Sequence, residues 1–463
     1  MKNSKLSKIF IVLFAVCLLT AISCSKSATS SSAPAASTAS AGGSAQAITA
    51  ADLEKATGDL LYWSCFGGDS MIWENWRIDE FRKLYPGVNV TVQSVPESAG
   101  MTNGVLLAAI AGGTAPDVLV ADNFVAGYGF ASQGAFAPWD PYLEAMGLSF
   151  NEFLPGFRGL MQYNGQTYLL PQDSNVIMLF INTDMTKEAG LDINNYPKNL
   201  DDLADWSEKL TVKDGAGRIS RYGFIPWLDY PGESPTTWPF MFGAEIYDPE
   251  TKKLELTDPR IVASFQWLRE WAQNYDPVAI RGFTQTAGGF FSPDHLFFQD
   301  KLAMTVTGNW VTNAIRIYAP HVNYTVVPIP VPPGGRERST PLGSNVFAMP
   351  RGTKRPDLAA LLFKFTQRPE INADNFDNWR SIPVIDRLFE GVSWTQKGDS
   401  IYALERQLAN SNKSGHPALT PVSAELQQAL IALLDDVIFN NKDPLPLLQD
   451  LQTRLQSQLD RAR

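Results

Sequence analysis

Histidine, on which most hydrolytic zinc sites and catalytic triads depend, is scarce in this sequence. The 463 residues include three histidines, none in the spacing H-E-x-x-H or H-x-x-x-H: His295, His321 and His416. The nucleophile motif G-x-S-x-G is absent as well. These absences argue against a zinc hydrolase and against a serine hydrolase of the α/β type. We expect no metal and no cofactor.

Cysteine is equally rare. Cys17 and Cys24 lie close to the N-terminus, which leaves Cys65 alone in the rest of the chain. A disulfide within the main part of the chain is therefore excluded, and stability must come from the size of the core. We expect Cys65 to be a small buried residue at the end of a strand rather than a nucleophile.

Positive charge is in short supply too. The chain has 38 basic and 48 acidic residues, and the first 24 residues hold three of the lysines and no acid. The remainder has 35 basic against 48 acidic residues, a net charge of -13. Nucleic-acid binding needs a basic face, so we expect no nucleic-acid partner. A chain of 463 residues is too long for one core, which favours two lobes.

The N-terminus has the pattern of a signal peptide over residues 1–24. Three lysines at positions 2, 5 and 8 precede the apolar run 9–19, which is too short to span a bilayer comfortably. Small residues and Cys24 follow, and the segment 21–24 resembles a lipoprotein cleavage box, with Ala21 where leucine is commoner. This resemblance implies lipidation of Cys24. The alternative is an ordinary secretory signal in which Cys24 is incidental.

Residues 25–50 are almost wholly Ser, Ala, Thr and Gly, with Lys26 as the single charge. Such a segment cannot bury enough apolar surface to fold, so it predicts a flexible linker. No later stretch is apolar for long enough to cross a membrane. We expect an exported, periplasmic or cell-surface protein that is tethered through Cys24.

After the linker, the pattern alternates between strand and helix. Apolar runs predict strands at 58–64, 88–92 and 117–121, and helical spacing predicts helices at 72–85 and 103–111. This order begins a parallel α/β sheet. Ligands bind at the carboxyl ends of such strands. The residues at these ends are Ser64, Cys65, Phe66, Asp122 and Asn123.

A second α/β region begins near residue 175. Strands are predicted at 176–181, 304–307 and 324–328, and a helix over 200–210. Leucine stripes predict two helices at the C-terminus, the second opened by Pro444. Between these elements, the Pro- and Gly-rich segment 226–239 is unlike a helix or strand interior, so we interpret it as a loop.

Several motifs occur in the order and spacing of one known family. The most specific is F-F-Q-D-K-L-A-M-T-V-T-G-N-W at 297–310, although Asp300 stands where glycine is usual. The others are G-T-A-P-D-V at 113–118, G-Q-T-Y-L-L-P at 165–171, N-T-D at 182–184, P-K-N-L-D-D-L at 197–203 and R-G-T-K-R-P-D at 351–357. With them, the chain from about Gly58 resembles the extracellular solute-binding proteins of ABC importers. Within that family it is similar to the sugar-binding cluster that includes maltose-binding protein.

The resemblance implies an α/β, two-lobe fold of the type II periplasmic-binding-protein kind. It places residues 51–172 with 323–367 in lobe 1, and residues 173–322 with 368–463 in lobe 2. The lobes would close on a ligand through hinge strands and shift an existing open–closed equilibrium. The implied partners are a sugar or oligosaccharide and the permease subunits of an ABC importer, with the chain itself a monomer.

Sugars offer flat apolar faces rimmed by hydroxyls, so aromatic rings and polar side chains together recognise them. Trp310 matches the family's motif tryptophan, and Trp227 and Trp238 lie in the Pro- and Gly-rich segment. Other candidates lie at strand ends, at the lobe crossing or before the sequence I-P-V, where Arg380 has a structural ion pair as its alternative role. The full set of predicted ligand contacts is Phe66, Asp122, Asn123, Asp173, Trp227, Trp238, Asn309, Trp310, Ser344 and Arg380.

Three alternatives stay open at this point. An exported carbohydrate-active enzyme would need two carboxylates across one bond, and Asp122, Asp173 and Asp229 are available, although no motif marks them. A binder of a non-sugar solute would want a charge to match an ammonium or carboxylate. A sensor or adhesin could use the same fold without a permease. We expect no enzyme activity.

Overall fold

The computed structural model describes residues 48–67, 71–95, 104–121, 124–228, 234–285, 287–289, 292–389, 400–416 and 419–461. Several sequence predictions lie outside these residues. They are the signal peptide, lipidation at Cys24, most of the 25–50 linker, and the side chains of Asp122, Asn123 and Asp229.

The strands are short and are spread along the whole chain. They are β1 (Gly58–Ser64), β2 (Val88–Ser94), β3 (Val118–Ala121), β4 (Phe136–Ala137), β5 (Gln162–Tyr163), β6 (Gln166–Thr167), β7 (Leu170–Pro171), β8 (Asn175–Asn182), β9 (Val212–Lys213), β10 (Ile219–Phe224), β11 (Tyr247–Asp248), β12 (Lys253–Leu254), β13 (Leu302–Gly308), β14 (Tyr324–Val327), β15 (Leu342–Gly343) and β16 (Val346–Pro350).

Helices fill most of the intervals between strands. They are α1 (Ala50–Glu54), α2 (Met71–Leu84), α3 (Leu106–Gly112), α4 (Phe124–Ser132), α5 (Asp140–Leu143), α6 (Pro155–Met161), α7 (Thr183–Glu188), α8 (Leu200–Leu210), α9 (Ser234–Met241), α10 (Pro259–Asn274), α11 (Pro277–Thr284), α12 (Val311–Tyr318), α13 (Pro356–Thr366), α14 (Pro369–Trp379), α15 (Ser400–Ala409), α16 (Ser423–Phe439) and α17 (Pro444–Arg461). Among the described residues, no helix has both the length and the apolar character needed to cross a bilayer.

The first sheet has the strand order β2-β1-β3-β16-β4, with β7 paired to β16. Strands β1, β2 and β3 are parallel, as the alternation of strands and helices predicts, whereas β16 is antiparallel to β3. In β2, Val88 and Val90 are buried and Asn89 and Thr91 are exposed, which is the half-buried pattern predicted for this strand. The first sheet therefore receives one strand, β16, from far along the chain.

The second sheet has the order β14-β8-β13-β10-β9, with β15 paired to β8. Strand β8 is apolar on both faces because each face meets a different core. One core includes Val176, Met178 and Phe180, and the other includes Ile177, Leu179 and Ile181. The leucine stripes of α16 and α17 pack into this latter core, as two separate amphipathic helices.

The chain passes between the two sheets at β7–β8 and again at β15–β16. Strand β7 pairs with β16 in the first sheet, and β8 begins in the second sheet four residues after Pro171. The return takes place after Gly343, since β14 and β15 both pair with β8. Strand β14, which begins just after residue 323, thus still belongs to the second sheet, and the predicted division into lobes stays a prediction.

The segment 226–239 also differs from its prediction as a loop. Residues from Ser234 onward form α9, with Pro239 inside the helix. All eight residues of α9 are buried, and the N–H of the Trp238 indole donates to the Pro226 carbonyl at 2.9 Å. Burial among aromatic neighbours outweighs the weak helix propensity that proline gives this sequence.

Candidate functional site

The two crossings run side by side, and Asp173 joins them. Its carboxylate oxygen Oδ1 accepts the backbone N–H of Asn345 at 3.3 Å and the Ser344 hydroxyl at 3.4 Å. The backbone N–H of Gln172 donates to the Asn345 carbonyl at 2.8 Å. Asp173 and Ser344 are 2% and 1% exposed, respectively, so they lie inside the crossing rather than on an open surface.

Burial sets the charge properties of Asp173. It raises the pKa of this carboxyl, while hydrogen bonds from the Asn345 backbone and from Ser381, and the nearby charge of Arg77, act in the opposite direction. The ionised form is thus held by several donors that partly replace water. The side chain is suited to bracing the crossing through its hydrogen bonds.

A third segment, which follows α14, lies against the first crossing. Ser174 and Ile382 form an antiparallel bridge in which each backbone N–H donates to the other residue's carbonyl, at 2.7 and 3.3 Å. A second bridge joins Phe153 to Ile385. Three segments of chain therefore meet between the sheets.

Asn309, at the end of β13, bonds to two of these segments. Its side-chain nitrogen Nδ2 donates to the Arg380 carbonyl at 2.7 Å and to the Ser174 carbonyl at 3.4 Å. Its oxygen Oδ1 accepts the Val176 N–H at 3.3 Å. The residue is fully buried.

Trp310 follows directly and occupies the N-cap position of α12, without a side-chain capping bond. It is partly buried and packs against residues of both hydrophobic cores, the same two cores that meet the two faces of β8. Its ring lies over Gly308, where an added Cβ would come within 1.8 Å of Trp310 Cζ3. Contact of Trp310 with a ligand stays a prediction.

Arg380 ends α14 in the left-handed region, with φ of 61°. Its guanidinium lies 4.3 Å from the centre of the Phe376 ring, and its Nε is 3.7 Å from Oε1 of the fully buried Glu405. The ion pair that was the alternative role for Arg380 is present. A second arginine near the crossing, Arg77, is paired with a buried glutamate as well.

The remaining aromatic candidates are separated by the fold. Phe66 follows β1 and is partly exposed, and its carbonyl accepts the Ser94 hydroxyl at 2.6 Å. Trp227 and Trp238 are 8% and 1% exposed and belong to the second core. The placement of Trp238 is that of a core residue, and it does not favour the predicted ligand contact.

Sequence reasoning missed a buried polar cluster on α2. Glu74 and Arg77 are paired at 2.5 Å, and the Arg77 Nη2 donates to the Tyr62 hydroxyl at 3.3 Å. The Trp73 indole N–H donates to Asn375 Oδ1 at 3.1 Å, which ties α2 to α14 beside the crossing. A signal was available, because Glu74 and Arg77 share the helical face of Ile78 and Phe81.

Comparison with known proteins decides the family. The model of the family "Bacterial extracellular solute-binding protein" matches residues 73–373. This chain belongs to that family. The family prediction from the sequence motifs is confirmed.

The chain is 27% identical over 300 residues to the sn-glycerol-3-phosphate-binding periplasmic protein UgpB of Escherichia coli strain K12. That match covers 62% of this chain and 62% of UgpB, so the chain spans less than two thirds of the length of this relative. Among solved structures, CpMnBP1 with mannotriose bound has a TM-score of 0.76 at 26% identity and covers 85% of this chain and 99% of its own. UgpB from Mycobacterium tuberculosis in complex with glycerophosphocholine has a TM-score of 0.69 at 20% identity, and covers 88% and 99%.

These likenesses confirm the predicted α/β, two-lobe fold of type II solute-binding proteins. The family and these neighbours are binding proteins rather than enzymes. Their ligands differ between sugars and glycerophosphate compounds, so the ligand of this chain has to be argued from its own residues.

Proposed function

We propose that this chain is the solute-binding component of an ABC importer, which captures a sugar or oligosaccharide between its two lobes and delivers it to a membrane permease. The observation that carries the proposal is the position of Trp310, which packs against both cores beside the crossing segments. A ligand stacked on Trp310 that also bound residues of the other lobe would favour the closed arrangement.

The charges at the crossing favour a neutral ligand. Arg77 and Arg380 are each paired with a buried glutamate, and Asp173 is surrounded by hydrogen-bond donors. A phosphate would require a cation that has no carboxylate partner, or the loss of one of these pairs. A polyol needs directed hydrogen bonds and an apolar face, which Trp310 provides.

A glycerophosphate compound is the second candidate, because the UgpB relatives are 27% identical to this chain. Under this proposal, Arg380 would exchange Glu405 for a phosphate oxygen as the lobes close.

We further propose that five other residues contact the ligand together with Trp310. They are Phe66, Asp122, Asn123, Trp227 and Arg380.

The chain would act without catalysis, as a monomer, in the periplasm or at the cell surface. Lipidation of Cys24 would tether it through the 25–50 linker. Labelling cells with a radioactive fatty acid tests the tether, since Cys24→Ser should abolish incorporation.

The ligand is tested by thermal unfolding of the chain lacking residues 1–24. The panel contains mono- and oligosaccharides, sn-glycerol 3-phosphate, glycerophosphocholine, amino acids and polyamines. A ligand at a hundredfold excess over its Kd stabilises the folded state by about 2.7 kcal/mol. We expect a sugar to raise the melting temperature, Trp310→Ala to abolish that shift, and Trp267→Ala, a partly buried tryptophan of the second core, to retain it.

A shift with glycerophosphocholine and with no sugar would support the second candidate and reject the first. Conversion of a sugar to products during the incubation would contradict the proposal of binding without catalysis.

A further inference from the structure

We infer that Asn309 is a positioning residue that ties the crossing segments together and thereby sets the balance between open and closed lobes. It does so in place of the direct ligand contact predicted from the sequence. The inference rests on the proposed function only where it concerns a ligand. The bonds of Asn309 to the crossing segments, and their effect on the lobes, concern the chain alone.

Three of the four hydrogen bonds that the side chain of Asn309 can make are already made to protein. An amide side chain has two N–H donors and one carbonyl oxygen. Both donors are used, on the carbonyls of Arg380 and Ser174, and the oxygen accepts the Val176 N–H. Since the residue is 0% exposed, a ligand could receive a hydrogen bond from it only after the surrounding chain moves and one of these donor bonds breaks.

These bonds connect three separate parts of the chain. Asn309 directly follows β13 of the second sheet, Ser174 belongs to the first crossing, and Arg380 begins the third segment. Lobe closure changes the backbone torsions of such segments. A side chain that bonds two of them favours the arrangements in which both carbonyls stay within its reach.

Asn309 also positions its neighbour Trp310. The backbone N–H of Asn309 donates to the Val176 carbonyl at 3.0 Å, so the peptide leading into Trp310 is held against β8. The ring of Trp310 is confined on its other side by Gly308. A change at Asn309 is therefore expected to alter both the lobe equilibrium and the placement of the stacking ring.

The test measures the distance between the lobes without ligand. Spin labels are placed on the full chain at the exposed positions Asn75 of α2 and Glu208 of α8, by Asn75→Cys and Glu208→Cys. Asn309→Asp keeps an acceptor for the Val176 N–H but loses both donors. We expect this change to broaden the distance distribution while the Val176 amide remains protected from hydrogen exchange. Asn309→Leu should broaden the distribution and also remove that protection.

Asn372→Asp is the matched control. Asn372 is 3% exposed and donates to the Thr366 and Arg368 carbonyls at 2.8 and 3.3 Å, both within the α13–α14 region. Asn372→Asp also removes two amide donors, but these donors bond no residue of the crossing segments. The distance distribution should therefore stay that of the unchanged protein. Asn309→Ser, a milder change that keeps one donor, gives an intermediate distribution and serves if the aspartate variant does not fold.

Equal distributions for Asn309→Asp and the unchanged protein would overturn the inference. Equal broadening by Asn309→Asp and Asn372→Asp would also overturn it, because general loosening would then be the cause. A ligand found in the thermal screen is then titrated: a weaker Kd with an unchanged lobe distribution would restore Asn309 as a direct contact. If no ligand is found, the distances still decide the structural claim, so the two proposals fail separately.

Discussion

The carboxylate of Asp173 accepts the backbone N–H of Asn345 at 3.3 Å, although the two residues lie in the separate connections that carry the chain in opposite directions between the sheets. The bond closes a loop of more than 170 residues around the second sheet. It places an ionisable group at the point about which two lobes would move, and several predictions concern this region.

Asp173→Asn tests the charge at the crossing. Burial raises the pKa of the Asp173 carboxyl above its ordinary value of 3.8, so the folded state holds the proton more tightly than the unfolded state. Wild-type stability therefore falls as pH rises from 3.8 through the folded pKa. We expect Asp173→Asn to be at least as stable as wild type at pH 7, with its advantage shrinking at pH 4. Urea unfolding at both pH values measures this, and a variant that is weaker only at pH 7 contradicts it.

His416 gives a pH dependence of the opposite sign. Burial lowers the pKa of its ring from 6.5 to about 4, so the neutral ring is favoured in the folded state. Its contribution is complete above pH 6.5 and is lost as pH falls toward 4. The ring is partly exposed, so solvent reduces the effect of the pKa shift. We expect the free energy of unfolding to fall by about 1–2 kcal/mol over this range. His416→Phe, which keeps the edge contact with Phe124, should remove that loss in acid titrations of stability.

Gly308→Ala tests the placement of Trp310. The added Cβ would lie 1.8 Å from Trp310 Cζ3, so the ring must move. We expect the variant to fold but to weaken ligand binding as strongly as Trp310→Ala does, which calorimetric titration would show. Gly289→Ala, where nothing lies within 4 Å of the added atom, is the control and should bind normally.

Gly223→Ala tests the packing of β10 on α8. An added Cβ would lie 2.1 Å from the Ser207 carbonyl oxygen, which belongs to backbone and cannot turn away. We expect the free energy of unfolding to fall by about 1–3 kcal/mol, the usual cost of overpacking. Gly215→Ala, in open space, should leave it within about 0.5 kcal/mol of wild type. Equal stability of the two variants would contradict the close approach.

Local patterns predicted the elements that have one regular apolar face. Strand β1 has the predicted bounds, and β2, β8 and the helix α2 differ from prediction by a residue or two at either end. Cys65 is buried after β1, as expected. The carboxyl ends of the first strands were predicted as the site, but Asp122 and Asn123 lie outside the described residues, so their ligand contacts stay predictions.

Long-range pairing could not be predicted from local patterns. Asn309, Ser174 and Arg380 are far apart in sequence, and no periodicity indicates that one amide bonds two distant carbonyls. The same applies to α9, where tertiary burial of Trp238 overrides the signal of its prolines. The candidate polar residues were therefore predicted by residue type, while their hydrogen-bond partners required the three-dimensional arrangement, and their ligand contacts stay predictions.

The position of β16 imposes an order on folding. It fills the gap between β3 and β4, yet it follows every strand of the second sheet along the chain. Until it arrives, β3 and β4 present unpaired backbone groups to whatever strand is near, including one from another molecule. The first sheet can thus begin to form early, but it is completed only when β16 joins it. A chain that is held at this stage favours aggregation over the native structure.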